Sequence, residues 1–190
     1  MEPGAAEQIA QNQNLTALLA ALRLSADMKI RALLITLFAL SPLTSWLHAA
    51  TLGEMTRSAG FEWIIGKWAT EDGNLALNYT WKLDEHAVAV TFKMGDRLSE
   101  GLIMVKPGTD KVVSGGADNK GGMFVATWTT LNGNPTVIST HTEADGTERK
   151  MAAEYIKVNN DTLTVKVYTV GADDQPEGSA AHEVTFKRQP

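Results

Sequence analysis

From Phe61 to the end of the chain one pattern repeats: short runs of β-branched and aromatic residues, broken by clusters of Gly, Asn, Asp and Pro. No other feature constrains the fold so strongly, because this pattern argues against βαβ units over that stretch. Nine turn clusters can be read, at residues 71–74, 84–86, 95–96, 107–110, 118–122, 132–134, 144–146, 159–161 and 171–179. Gly and Asn tolerate the positive φ of tight hairpins, so such clusters separate strands. Nine turns imply ten strands, the first starting at Phe61 and the last covering residues 183–188.

Alternation within the runs supports the strands. Leu75, Leu77, Tyr79, Trp81 and Leu83 share one parity, against Ala76, Asn78, Thr80 and Lys82. Val88, Val90, Phe92 and Met94 repeat it, as do Leu163, Val165 and Val167 against Thr164 and Lys166. A period of two marks a sheet with one dry and one wet face. Sequential antiparallel strands expose two edges unless the sheet closes on itself. The expected fold is therefore all-β: an up-and-down antiparallel barrel of about ten strands, with a short helix over residues 52–59 before it. A two-sheet sandwich is the alternative.

Upstream, Met28-Lys29-Ile30-Arg31 is followed by an apolar run over residues 32–40, a Ser41-Pro42 break and the small residues Ala49-Ala50. These are the positive, apolar and cleavage regions of an export signal, in order. The apolar run is about half of the ~20 residues that span a bilayer, so a cleaved signal is preferred to a retained anchor. We read residues 1–27 as an extension ahead of the true start or, alternatively, an amphipathic helix over residues 15–24. Residues 28–50 are assigned to the signal, with cleavage after Ala49 (Leu47 third back) preferred to cleavage after Ala50 (His48 third back), and residues 51–190 to the barrel. The product is then periplasmic or secreted, with no stable membrane span.

The chain carries a formal charge of −5 and no cysteine. It lacks the basic stripe needed to neutralise phosphates, which argues against nucleic acid as a partner. Disulfides, thiolate metal sites and cysteine nucleophiles are excluded together. Apolar residues at 44% suffice for a core without cross-links.

Gly66-Lys67-Trp68 on the first predicted strand, with Arg188 on the last, resembles the lipocalin and fatty-acid-binding group, the calycins. Residues 61–188 are similar to exported bacterial lipocalin-like proteins. The resemblance implies that Trp68 closes one barrel end, with Arg188 packed across its ring and Gly66 allowing close approach. Lipocalins usually have eight main strands; ten is nearer to the fatty-acid-binding and nitrobindin-like barrels. The arginine–tyrosine carboxylate clamp of fatty-acid-binding proteins has no counterpart that can be mapped onto this chain.

His182 shares parity with Val184 and Phe186, and His141 with Val137 and Ser139, so either could face the lumen. A lumenal histidine can ligate haem iron, as in nitrobindin-like barrels; a hydrogen-bonded or rim histidine is the commoner role. Haem through His182 is thus a secondary alternative to having no cofactor. His86 falls in a turn. No zinc spacing and no Gly-x-Ser-x-Gly elbow occurs. Residues 118–122 carry oxygen ligands but lack the acid spacing of an EF-hand, so they read as a hairpin turn. Asn78 and Asn160 sit in sequons that in a bacterium are chance matches.

The large rings are more informative. Trp63, Tyr79, Trp81, Trp128 and Tyr155 either line a pocket for an apolar ligand or fill the lumen solid, since small barrels do both. The ligand-pocket candidates are Tyr79, Trp81, Trp128, His141, Tyr155 and His182. The leading expectation is an exported barrel that binds a small apolar or amphipathic molecule. The rivals are an isomerase or hydrolase using the same pocket, and a filled barrel acting through its surface.

Overall fold

A computed structural model describes residues 50–190. The predicted extension 1–27 and export signal, but for Ala50, lie outside the described residues. Helix α1 spans Leu52–Ser58 and begins with a capping box. Thr51 Oγ1 accepts from the Glu54 amide at 3.1 Å, and Glu54 Oε2 accepts from the Thr51 amide at 2.9 Å, so two otherwise orphaned donors are satisfied. One 3₁₀ turn follows over Glu62–Ile64. Ten strands come next: β1 (Gly66–Ala69), β2 (Leu75–Lys82), β3 (Ala87–Met94), β4 (Arg97–Val105), β5 (Val112–Asp118), β6 (Met123–Leu131), β7 (Asn134–Thr142), β8 (Glu148–Asn159), β9 (Thr162–Val170) and β10 (Pro176–Gln189).

Every strand pairs antiparallel with its predecessor, and β1 pairs with β10 in the register Lys67↔Gln189, Trp68↔Arg188, Ala69↔Lys187. The sheet is a closed ten-stranded barrel, not the alternative sandwich. Hairpin chemistry sets the order. Between β6 and β7, Asn132 and Gly133 both take positive φ, +52° and +79°, the combination that matches the twist of a two-residue hairpin.

The predicted parity is the observed one. Leu77, Tyr79, Val88, Ile103, Tyr155, Leu163, Val165 and Phe186 are buried together in the core. Each such large apolar side chain contributes roughly 1.5–3 kcal/mol when fully buried. Three residues depart from the reading: Thr164, given the wet parity, is buried, and two others lie at strand ends. Leu83 enters the β2–β3 turn with φ +52° and is 72% exposed, and Met94, the last residue of β3, is exposed. Parity stops pointing inward where the chain leaves the ladder.

The first strand is shorter than the sequence implies. The residue pattern predicts an extended Phe61–Ile65, but β1 starts at Gly66. Side chains take the carbonyls that a ladder would use. Arg188 Nη2 donates to Trp63 O at 2.7 Å and Nη1 to Ile65 O at 3.0 Å, while Trp68 Nε1 donates to Ile64 O at 2.9 Å. The Arg188 guanidinium lies 4.0 Å from the centre of the Trp68 ring, a cation–π contact worth roughly 0.5–2 kcal/mol. Gly66 sits at φ +127°, and a Cβ there would fall 2.6 Å from Arg188 Nη1. This packet joins the first and last strands, and Trp68 at its centre is only 1% exposed.

Candidate functional site

The barrel has one end covered by α1 and the 3₁₀ turn, and another formed by the β1–β2, β3–β4, β5–β6, β7–β8 and β9–β10 turns. At the covered end the lumen holds a cavity of about 210 Å³. Leu52 and Met55 of α1 bound it from above; Tyr79, Ile103, Val112 and Trp128 bound it from the barrel wall. Ala59, Thr129 and Thr130 form an exposed rim.

Three sequence-predicted aromatics meet beside this cavity, of which Tyr79 and Trp128 line it. The rings of Trp128 and Tyr155 stack at 5.6 Å, and Tyr79 meets both edge-on at 6.5 and 6.3 Å. Such pairs add about 0.5–1.5 kcal/mol beyond area burial. Their polar atoms meet protein partners inside: the Tyr79 and Tyr155 hydroxyls share one bond at 3.0 Å, and Trp128 Nε1 donates to Ser114 Oγ at 3.2 Å. Burial pushes the Tyr79 phenol well above its ordinary pKa, with the adjoining Tyr155 adding to the effect. Burial raises Tyr155 as well. Both hydroxyls are therefore neutral donors at physiological pH.

The cover is pinned at one turn. The Gly53 amide donates to Glu85 O at 3.0 Å, and Arg57 Nη2 meets Glu85 Oε2 at 2.7 Å, with Glu62 at 3.7 Å from Nη1. Leu83, Asp84 and Glu85 all take left-handed φ, between +49° and +66°. For residues with a Cβ this costs roughly 1–2 kcal/mol each. The turn that holds α1 is thus strained at three consecutive residues.

The other predicted residues are elsewhere. Trp81 packs half-buried against the core but does not line the cavity. His182 is exposed on β10, opposite Val167, just past a register shift between Glu177 and His182. Inward parity does not survive that irregularity as burial. His86 is exposed in the β2–β3 turn.

His141 lies at the turn end, where its Nε2 meets Asp118 Oδ2 at 2.8 Å. Asp118 is a carboxylate without side-chain exposure, and its Oδ1 also accepts from the Lys120 and Gly122 amides. The residues 118–122 cluster is thus a hairpin turn braced by its own aspartate. The bond to His141, then the two amides and Arg97, hold the Asp118 pKa down to about 2. Arg97 forms a fork on Glu143, at 2.7 and 3.2 Å, and reaches Asp118 at 3.8 Å. These four residues clasp β4, β5 and the end of β7.

Sequence reasoning missed this clasp, because its members are scattered over residues 97–143. It also missed Glu154, buried among Asn132, Asn134 and Tyr168. The bond to Glu154 pushes the Tyr168 phenol up to about 12. Among the described residues no group of three or more histidines and carboxylates is placed to hold a metal ion. No described helix is long and apolar enough to cross a membrane. No family model matches this chain, and no curated protein matches it significantly.

Proposed function

We propose that residues 51–190 are an exported lipocalin-like barrel of the calycin type that binds a small apolar or amphipathic molecule beneath α1, with residues 28–50 as its cleaved export signal. The observation that carries this reading is the cavity of about 210 Å³ bounded by Leu52, Ile103, Val112 and Trp128. An apolar cavity of ~150 Å³ takes up benzene, so the space suits a single ring with a small substituent. The Gly66–Trp68–Arg188 packet supports the calycin comparison.

The proposal assigns no reaction. Among the described residues, no histidine or carboxylate lines the cavity, so neither acid–base catalysis nor haem ligation through His182 draws support there. Native mass spectrometry of the protein purified from its own host tests both halves of the reading. A bound small molecule, and an N-terminus at Ala50 or Thr51, are the expected results. Val112→Phe, which fills the cavity from β5, should abolish the bound species while leaving the circular-dichroism spectrum unchanged. Ligand retained by this variant places binding elsewhere, and a native terminus upstream of Met28 removes the export reading.

A further inference from the structure

We propose that the cavity selects neutral apolar molecules carrying one hydrogen-bond acceptor, such as a ketone, ester or ether oxygen, and that the Tyr79 hydroxyl reads that oxygen. The inference rests on the ligand-binding reading above and adds the chemistry of the ligand.

Two phenol hydroxyls bring two protons, and the 3.0 Å bond between Tyr79 and Tyr155 uses one of them. Hydroxyls rotate, so either ring can be the donor. Tyr79 borders the cavity and Tyr155 packs behind it. When Tyr155 donates to Tyr79, the Tyr79 O–H is left over. Among the described residues no other protein oxygen accepts from either hydroxyl. A buried donor without an acceptor is unfavourable, and an arriving ligand oxygen removes that penalty.

The rest of the wall does not compete for the role. Leu52, Ile64, Ile103 and Val112 carry no polar side-chain atom. The Thr56 hydroxyl already donates to Leu52 O at 2.7 Å, and Thr129 and Thr130 lie on the exposed rim. No charged side chain lines the cavity among the described residues. A carboxylate or ammonium group on the ligand would therefore be desolvated without a partner, which limits the class to neutral molecules.

Acetophenone and ethylbenzene share a ring and a two-carbon substituent and differ by one carbonyl oxygen. Dissociation constants for both, from ligand-observed NMR on the full-length protein, test the inference. In Tyr79→Phe, acetophenone should weaken about tenfold relative to ethylbenzene, equivalent to about 1.4 kcal/mol. Ethylbenzene should bind as before, which also shows that the variant is folded. Tyr155→Phe should keep the wild-type ratio, because the Tyr79 O–H remains. A ratio unmoved by Tyr79→Phe, with ethylbenzene still bound, overturns the role of the hydroxyl and leaves the cavity reading intact. Failure of both probes to bind the wild type removes the cavity reading, and this inference with it.

Discussion

At the helix-covered end, Leu52 and Met55 bridge a lumen that keeps about 210 Å³ unfilled. At the turn end the Phe124 ring lies against Gly101 and Gly116, so close that a Cβ on either glycine would come within 2.7 Å of it. The first end is apolar and capped by a separate segment held through a strained turn. The second is crowded around Phe124 and tied across strands by Arg97, Asp118, His141 and Glu143. One sheet thus supports a cavity at one end and a brace at the other. Interiors are close-packed as a rule, so the unfilled volume sets the first end apart from the second.

Trp68→Ala attacks the seam that both ends share. Loss of a fully buried indole with its hydrogen bond to Ile64 O and its cation–π contact with Arg188 should lower the urea unfolding free energy by roughly 3–5 kcal/mol. A loss below about 1 kcal/mol would mean that the seam is held by the strand ladder alone.

Gly116→Ala probes the packed end. The added methyl would run into Glu100 O and the Phe124 ring, and overpacking of this kind costs about 1–3 kcal/mol. Val112→Phe adds far more volume, but into the open end, and should cost less. Equal or reversed costs in the same unfolding assay would erase the difference between the two ends.

The smallest effect is electrostatic. Asp118 titrates at about 2 when folded and at about 3.9 when unfolded. Its depressed pKa gives stability that is present above about pH 4 and lost as the pH falls towards 2. Urea midpoints between pH 5 and 3 should therefore fall less steeply in Asp118→Asn than in the wild type. Identical slopes would show that the clasp does not couple to protonation.

Much of the architecture was legible. Turn residues at short intervals and a period of two are local signals, and they specified ten strands and the parity that buries Leu77, Tyr79 and Val165. The start of β1 was not legible, because Arg188 takes the Trp63 and Ile65 carbonyls from 123 or more positions away. The site was legible only in part. Tyr79, Trp128 and Tyr155 share the lumenal parity and meet; Trp81 and His141 share it and do not join them. Parity says which face a residue occupies, while membership of the cavity also depends on height along the barrel axis.

That height follows from the tilt and register of ten strands taken together, which no single segment encodes. Alternation and hairpin chemistry act over a few residues, so they can be read in order along the chain. The unfilled space under α1, the brace at the opposite end and the pairing of two tyrosine hydroxyls 76 positions apart arise only when β1 meets β10. Closure of the ring brings together side chains that no local signal links.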